Sequence, residues 1–211
     1  MLYDCFLFFN ELDLLDLRLE ELGPLVDKFV LVEADKTFSG KMKELCFVNN
    51  RHRYAKYLDK IINISVEDMP VDKNRWKVER YQRNSILRGL SACHPEDIIM
   101  VSDIDEIPHP EAVQALRDFK KDKFIASFKQ RLFCYYLNGS IGTVWQGTAA
   151  TRRKFLKFPQ DLRDVGTRKF LRKTVINNGG WHFSYLGLAE TIAYKMHSFA
   201  HAEFDRPNIR R

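Results

Sequence analysis

Short apolar runs alternate with amphipathic segments over the first 120 residues of the chain. Four runs have the length and apolar composition of strands buried on both faces: residues 2–9, 28–33, 61–66 and 98–101. Three segments have apolar residues at helical spacing: 10–22 with Asn10 as its N-cap, 75–90 and 110–119. Strands that alternate with helices are typical of a parallel sheet covered by helices on both faces. In such a sheet, ligands bind outside the carboxyl ends of the strands.

The pattern changes in the second half of the chain and favours antiparallel strands. Residues 124–136 and 142–150 are predicted to be strands joined by a turn, because Asn138-Gly139 is a strong turn signal. Residues 181–185 predict a further strand, and residues 188–200 predict a last helix. We therefore expect one α/β domain over residues 1–211, with a mostly parallel, Rossmann-like sheet flanked by helices and a smaller antiparallel part.

Length, charge and cysteine content narrow the class of protein. The chain has 211 residues, which is enough for a domain whose core needs no disulfide or zinc support. Its formal net charge of +6 favours anionic partners, such as nucleic acids, lipid headgroups or phosphorylated compounds. None of the four cysteines belongs to a Cys-x-x-Cys pair, which excludes zinc-ribbon and thioredoxin-type sites. A reducing compartment is the simplest inference from such cysteines.

The sequence has no feature of a membrane-spanning or secreted protein. No apolar run approaches the ~18 residues that are needed to span a bilayer. Residues 1–9 contain Asp4 and lack the basic region and cleavage site of a signal peptide. We therefore expect a cytoplasmic protein without a transmembrane segment, for which peripheral contact with a membrane stays open.

The segment Ser102-Asp103-Ile104-Asp105-Glu106 brings three carboxylates to the end of the fourth apolar run. Like charges this close together are unfavourable unless a cation compensates them. Carboxylate oxygens suit hard divalent ions, so we expect Asp103 and Asp105 to hold Mn²⁺ or Mg²⁺, which can neutralise a departing diphosphate. If these two side chains point apart, or if a lysine plugs them, the transfer of a group from a diphosphate would have to be abandoned as an interpretation. The simpler alternative is a solvated loop whose acids cap the next helix.

Two other functions fit parts of the same pattern. Phosphohydrolases of the haloacid-dehalogenase type also have Asp-x-Asp after a strand, and Asp103 would then be the nucleophile. Ile107 does not match their motif, and the motif here follows the fourth strand instead of the first. The basic clusters within residues 152–157 and 168–173 would suit a non-catalytic module that binds sugars or polyanions. Signatures of RNA recognition are absent from the sequence, so we expect no nucleic-acid partner.

Six segments, in order along nearly the whole chain, match the pattern of one enzyme family. They are residues 3–6 and 8–13 with Arg18, 29–34, 37–41, 79–84, 102–108 and 179–184. Together they resemble glycosyltransferase family 17, which includes the enzymes that add the bisecting N-acetylglucosamine to β-linked mannose of N-glycans. The resemblance implies a GT-A fold, a UDP-sugar donor such as UDP-N-acetylglucosamine, Mn²⁺, and inversion at the anomeric carbon. It also implies a nucleotide-binding half over about residues 1–120, and an acceptor half over about residues 121–211 that is truncated at its C-terminus.

The resemblance places the donor at the edge where the first strands end. Six residues are expected to bind it: Asn10, Glu11, Glu33, Arg83, Asn84 and Trp181. Arg83 would bind the diphosphate in a bidentate manner, and the alternative is an ion pair with Glu79 at i−4. Glu33 would accept a hydrogen bond from uracil or ribose, or would be a capping acid without a ligand. Trp181 offers a flat apolar face to a sugar ring.

Inverting transfer needs a base that deprotonates the acceptor hydroxyl. Glu106, Asp164 and Glu190 are candidates that the sequence does not rank, and His182 is a further catalytic candidate. A late histidine often completes the metal shell in GT-A enzymes, which makes His201 the expected third ligand and His182 its alternative. The expected acceptor is a glycan or a lipid-linked glycan, because the basic clusters suit an anionic compound.

Overall fold

The structure is a computed structural model that describes residues 1–168, 172–187 and 189–198, except for the side chain of Thr191. The described residues form nine strands and six α-helices. In chain order these are β1 (Leu2–Leu7), α1 (Leu12–Leu22), β2 (Lys28–Ala34), α2 (Cys46–Asn49), β3 (Ile61–Val66), α3 (Arg75–Asn84), β4 (Ile98–Asp103), β5 (Glu106–Pro108), α4 (Pro110–Arg117), β6 (Ala126–Cys134), β7 (Ser140–Trp145), β8 (Ala149–Arg152), α5 (Pro159–Thr167), β9 (Thr174–Ser184) and α6 (Ala189–Ser198). In this part of the chain, none of the helices has the length and apolar character that crossing a membrane requires.

Four parallel strands form the first part of the sheet, in the order β3-β2-β1-β4. Every residue of β1 is buried, because β1 lies between two other strands and under helices on both faces. Leu15, Leu19 and Leu116 pack on one face, whereas Ile86 and Leu90 pack on the other. Alternate residues of each apolar strand point to opposite faces, so both layers of helices find apolar partners. The predicted α/β sheet with flanking helices is confirmed.

The second part of the same sheet is mixed. β8 is antiparallel to β4 and to β6, β9 is parallel to β6, and β5 is antiparallel to β9. β7 forms a hairpin with β6. The predicted strand 142–150 is divided into β7 and β8, because the chain between them passes directly against Glu106. A Cβ atom on Gly147 would lie 1.8 Å from Glu106 Oε1, so only glycine fits this passage.

The helices differ from the prediction in three places. α1 has Glu11, not Asn10, at its N-cap. The predicted helix 75–90 is α3 followed by a 3₁₀ segment, Ser85–Leu90. The sequence pattern did not predict α5, which begins with Pro159 in its first turn. Residues 188, 199 and 200 of the last predicted helix lie outside the described residues.

The carboxyl ends of β1 and β4 lie side by side. Leu7 is paired with Asp103 in the register of these parallel strands, and β5 starts at Glu106, directly after the turn that follows β4. The acidic segment therefore meets the chain between β1 and α1 at one edge of the sheet. This is the edge at which α/β proteins bind their ligands.

Candidate active site

A cavity of about 640 Å³ lies at the carboxyl edge of the parallel strands. Its lining includes the end of β1 and the turn at residues 103–106. Arg83 of α3, Arg163 of α5, His182 of β9 and Lys195 of α6 also line it. Small-molecule sites have volumes of about 300–1,000 Å³. The edge where the sequence predicts a ligand therefore has a cavity of suitable size.

Arg18 ties the acidic turn to the core. Its fully buried guanidinium donates to the carbonyl oxygens of Asp103 and Glu106, at 3.1 and 3.0 Å. It also donates to Ser102 Oγ at 2.6 Å and to both carboxylate oxygens of Asp4, at 2.6 and 2.7 Å. A buried ion pair is stable only when further hydrogen bonds satisfy its polar atoms, and here they do. The backbone of the turn is thereby fixed before any ligand binds.

Asp103 lies between two arginines. Its Oδ1 accepts a hydrogen bond from Arg83 and its Oδ2 accepts one from Arg163, each at 2.6 Å. Arg83 also donates to Glu79 at 2.7 Å and to Gln160 at 2.6 Å. Burial raises the pKa of Asp103, but the guanidinium groups of Arg163 and Arg83 outweigh it and hold that pKa well below its usual range. Asp103 is therefore ionised, with a cation on each oxygen.

Glu106 is fully buried at the floor of the cavity. Its carboxylate accepts two hydrogen bonds from Arg163, at 2.6 and 2.7 Å, and one from the backbone N–H of Asp103 at 3.1 Å. The indole N–H of Trp145 donates a fourth. A catalytic base needs a lone pair that reaches the acceptor hydroxyl, and these donors occupy the carboxylate. In this arrangement Glu106 positions Arg163 and Trp145, and its role as a base stays a prediction.

Asp105 and Glu11 share one ammonium group. Lys195 Nζ lies 3.1 Å from Asp105 Oδ2 and 3.1 Å from Glu11 Oε1. Burial raises the pKa of Glu11, but Lys195 and the backbone N–H of Asn10 outweigh it and lower that pKa. Burial lowers the pKa of Lys195, and the two carboxylates raise it above its usual value. His182 Nε2 lies 3.7 Å from Asp105 Oδ1, and its buried Nδ1 has no hydrogen-bond partner among the described residues.

The predicted metal ligands do not fit a divalent cation as the structure arranges them. Asp103 is in ion pairs with two guanidinium groups, and Asp105 is in an ion pair with Lys195. Within residues 1–168, 172–187 and 189–198, no group of three or more His, Cys, Asp or Glu side chains is placed to hold a metal ion. His201, the expected third ligand, lies outside the described residues. Side-chain cations therefore neutralise both aspartates. Arg83 and Arg163 bind Asp103, and Lys195 binds Asp105, which argues against a pair of aspartates that is open to a metal ion.

Two of the predicted donor-binding residues, Glu11 and Arg83, line the cavity. The alternative for Arg83, an ion pair with Glu79, is also present at 2.7 Å. The side chain of Arg83 is only 2% exposed, and its hydrogen bonds go to three neighbouring side chains. In this arrangement Arg83 orients Asp103 and does not present a free guanidinium to a diphosphate.

Asn10, Glu33, Asn84 and Trp181 are not among the residues that line the cavity, so the structure does not bring these four predicted donor ligands to it. The backbone N–H of Asn10 donates to Glu11 Oε2. Glu33 accepts hydrogen bonds from the backbone N–H groups of Phe47 and Val48 in α2, so it is the capping acid that was its alternative.

Asn84 and Trp181 have structural positions. Asn84 Oδ1 accepts a hydrogen bond from the backbone N–H of Gln160 at 3.1 Å and so joins α3 to the start of α5. Trp181 precedes His182 in β9, and successive strand residues point to opposite faces of a sheet. Its ring lies 5.1 Å from the ring of His109, outside the cavity, which explains why it cannot stack on a sugar there.

The remaining catalytic candidates differ in whether they line the cavity. His182 and Asp164 line it, whereas Glu190 does not and is exposed in the first turn of α6. Asp164 is bound by Arg80 at 3.0 Å and by Gln160 at 2.7 Å. The structure therefore places His182 and Asp164 at the cavity and Glu190 outside its lining, and all three stay predictions.

Trp145, Arg163 and Lys195 are among the cavity residues that were not predicted from the sequence. Proline in a first turn is a helix-start signal, so Pro159 could have revealed α5, which carries Arg163. Nothing local distinguishes Arg163 from the other basic residues of the second half. Trp145 and Lys195 reach Glu106 and Asp105 from distant parts of the chain, and no sequence signal indicates such contacts.

Aromatic side chains border the cavity on the β6–β7 hairpin. We call Tyr135, Tyr136 and Trp145, which are 54%, 71% and 37% exposed, the aromatic rim. Trp145 is the member of the rim that lines the cavity, and the backbone N–H of Tyr135 donates to Ser184, which also lines it. Tyr135 has a φ of 67° and Tyr185, which lines the cavity, has a φ of 51°. Bulky residues rarely adopt this conformation, and residues that do so cluster at functional sites.

Comparison with known proteins identifies the family. The family model described as Glycosyltransferase family 17 matches residues 1–209. The chain belongs to glycosyltransferase family 17. This finding contradicts the alternative of a haloacid-dehalogenase-type phosphohydrolase, as does the position of Asp103 between two arginines, where it is a poor nucleophile. Family 17 membership supports a transferase over a non-catalytic binding module.

Curated relatives are similar over nearly the whole chain. Beta-1,4-mannosyl-glycoprotein 4-beta-N-acetylglucosaminyltransferase from Homo sapiens is 24% identical over 230 residues, which cover 93% of this chain and 43% of the human protein. The Rattus norvegicus protein of the same name is also 24% identical, and 42% of it is covered. The family 17 chain therefore spans less than half the length of these relatives.

Two enzymes of known structure were superimposed on this chain, both with low TM-scores. The 2-C-methyl-D-erythritol 4-phosphate cytidylyltransferase of Francisella tularensis superimposes with a TM-score of 0.48 at 12% identity, covering 94% of this chain and 99% of that one. The glycosyltransferase GlyE of Streptococcus pneumoniae TIGR4 superimposes with a TM-score of 0.40 at 13% identity, covering 98% and 51%.

Proposed function

We propose that the chain is a glycosyltransferase that moves a sugar, N-acetylglucosamine, from a UDP-sugar to a glycan acceptor with inversion. The observation that carries this proposal is the cavity at the carboxyl edge of β1 and β4, in a chain that belongs to family 17. Its floor bears the acidic turn, and aromatic and basic side chains line it. This combination suits a ligand with an aromatic base, an anionic diphosphate and a sugar.

The donor is proposed to bind between β1 and α3. Phe9, Phe38 and Trp76 line the cavity there and supply apolar surface for the base. Lys36 and Lys43 line the same side, and their ammonium groups can compensate the charge of the diphosphate. The arginines at the floor are bound to carboxylates, so they orient the acidic turn and contribute positive potential.

His182 is proposed to be the base that accepts the proton of the acceptor hydroxyl. Nδ1 is buried, so Nε2 is proposed to be the atom that accepts the proton. Nε2 lies 3.7 Å from Asp105 Oδ1, and this carboxylate would stabilise the imidazolium that forms. Asp164 is the alternative, but Arg80 and Gln160 already donate to its carboxylate.

The acceptor is proposed to lie along the aromatic rim. Sugar rings have apolar faces that stack on aromatic side chains, and Trp145 of the rim also lines the cavity. The indole N–H of Trp145 donates to Glu106, which holds the ring in a fixed position next to His182, at a ring distance of 5.0 Å. An acceptor on the rim would thus present its hydroxyl towards His182.

A thermal-shift panel tests the donor. We expect UDP-N-acetylglucosamine with Mn²⁺ to raise the melting temperature, because a ligand at 100 times its Kd stabilises the native state by about 2.7 kcal/mol. Asp105→Asn should abolish the shift, whereas Glu190→Gln, an exposed acid outside the cavity, should keep it. Absence of a shift with every UDP-sugar, or an equal shift in Asp105→Asn, would contradict the proposal.

A further inference from the structure

The tip of the β6–β7 hairpin, residues 135–141, exposes large apolar side chains beyond the aromatic rim. Leu137 and Ile141 are 58% and 50% exposed there, and Val144 of β7 is 54% exposed. Single exposed apolar residues are common on soluble proteins, whereas several on one short segment are typical of a surface that contacts another protein or a membrane. The hairpin therefore has the character of a docking surface.

The charges near the tip favour one of these two kinds of partner. The sequence has no Asp or Glu between residues 123 and 160, and the hairpin carries Lys129 and Arg131. Arg131 is exposed and is paired with Val144 in the register of β6 and β7. A surface of apolar side chains and cations without a carboxylate complements an anionic membrane surface, which attracts Lys and Arg. A second copy of the chain fits less well, because two-fold symmetry would place like-charged Arg131 side chains on one shared surface.

Hydrogen bonds within the protein already pair several backbone groups of the tip. Cys134 N donates to the carbonyl oxygen of Gly139 at 2.9 Å, and Gly139 N donates to that of Tyr136 at 3.0 Å. Tyr136 N donates to Cys134 O at 2.8 Å, and Tyr135 N donates to Ser184 O of β9 at 3.2 Å. An unpaired backbone group is costly in the apolar part of a bilayer, so these bonds lower the cost of insertion. They also fix the tip against β9 before it meets a partner.

We propose that the tip of the β6–β7 hairpin docks the protein on an anionic lipid surface. Leu137 and Ile141 would enter the apolar region, and Arg131, further from the tip, would contact lipid phosphates. Tyrosine and tryptophan prefer the headgroup level of a membrane, where the aromatic rim would then lie. Because Trp145 also lines the cavity, docking would place one wall of the cavity next to the lipid surface. A lipid-linked acceptor would meet the cavity there, and only this consequence rests on the proposed function.

Co-sedimentation of the full chain with vesicles tests the docking surface. We expect binding to vesicles of phosphatidylglycerol and phosphatidylcholine in equal parts. Leu137→Ser combined with Ile141→Ser should lower the partition coefficient at least about tenfold, because less apolar surface leaves water. Val71→Ser is the matched control and should bind like the wild type, since Val71 is fully exposed in a loop outside the hairpin. No binding by the wild type, or equal binding by the double variant, would overturn the proposal.

The charge of the lipid surface is tested separately. The wild type should bind vesicles of phosphatidylcholine alone more weakly than those with phosphatidylglycerol. Arg131→Gln should lower binding to the phosphatidylglycerol vesicles about fivefold, because it removes one cation near the anionic surface. Arg51→Gln, which changes an exposed arginine outside the hairpin, is the control and should have no such effect. Equal binding of the wild type to both kinds of vesicle would overturn the assignment of an anionic surface.

Hydrogen exchange of the wild type needs no variant to fold. The phosphatidylglycerol vesicles should slow amide exchange over residues 135–145 and leave residues 67–74 unchanged. Unchanged exchange over residues 135–145 would contradict docking through the hairpin. Sedimentation without lipid tests the other occupant: a dimer that Leu137→Ser with Ile141→Ser dissociates would assign the hairpin to a second copy and overturn the proposal. None of these measurements contains a sugar nucleotide, so their failure is distinguishable from a failure of the donor test.

Discussion

The floor of the cavity consists of buried charges that bind one another, whereas the β6–β7 hairpin beside it exposes large apolar side chains. At the floor, Asp103 and Glu106 receive hydrogen bonds from Arg83 and Arg163 over 2.6–2.7 Å. On the hairpin, every residue of β7 is exposed. Ion pairs thus compensate the carboxylates of the floor without a ligand. The aromatic rim exposes apolar surface, and burial of this surface by a bound partner is favourable.

The two regions should therefore respond differently to mutation. Changes at the floor remove partners of buried charges and should affect stability, positioning and the pH profile together. Changes at Tyr135 and Tyr136 of the rim remove exposed side chains and should affect mainly the binding of the acceptor, whereas Trp145 also donates to Glu106 at the floor. Three substitutions test this difference.

The largest effect is expected for Arg18→Met, at the base of the floor. The change leaves Asp4 buried without its partner and removes hydrogen bonds to the carbonyls of Asp103 and Glu106, so we expect a loss of about 3–5 kcal/mol of unfolding free energy. Urea denaturation measures it. The control is Arg53→Met, which removes surface ion pairs with Asp13 and Asp16 and should cost at most about 1 kcal/mol.

The double variant Asp4→Leu with Arg18→Met separates charge from packing. Replacing both partners of a buried pair by apolar residues is often neutral, so the double variant should recover part of the loss. Near-wild-type stability of the single Arg18→Met variant would show that the floor does not depend on this pair.

A smaller effect is expected for Arg163→Gln, which acts through Asp103 and Glu106. We expect the rate of UDP release with an acceptor to fall about 100-fold, the scale seen when one preorganised electrostatic group is removed. Arg163 lowers the pKa of Asp103, so its loss raises that pKa. The acidic limb of kcat/KM should therefore move to higher pH. Activity that falls without this movement would mean that Arg163 supports only the fold.

The smallest effect is expected for Tyr135→Gly, on the rim. Glycine adopts a positive φ without strain, so the stability should change by less than about 1 kcal/mol. The KM for the glycan acceptor should rise about tenfold, because one stacking surface worth ~1.4 kcal/mol is lost. UDP release without an acceptor should not change. Phe155→Ala, an exposed aromatic residue outside the cavity lining, is the control. An unchanged KM would remove the rim from the acceptor site.

Local chemistry let the sequence predict the parallel strands and the acidic turn. The runs at 28–33 and 98–101 are apolar on both faces, as expected for strands in a sheet that helices cover on both sides. β2 and β4 include these two runs. Asp103 and Asp105 follow such a strand, so their place at the carboxyl edge follows from the fold class. Glu11 was found by the same reasoning, because it follows β1.

The sequence alone determined the sheet, its ligand-binding edge and the carboxylates that reach this edge. The tertiary structure decided which of the predicted residues face the cavity: His182 lines it and Trp181 does not, because neighbours in a strand point to opposite faces. The tertiary structure also decided which side chains neutralise Asp103 and Asp105. Arg163 and Lys195 are far from Asp103 and Asp105 along the chain, and only packing of α5 and α6 brings them within 2.6 and 3.1 Å. Long-range ion pairs leave no periodic trace in a sequence, since they depend on where two distant elements meet.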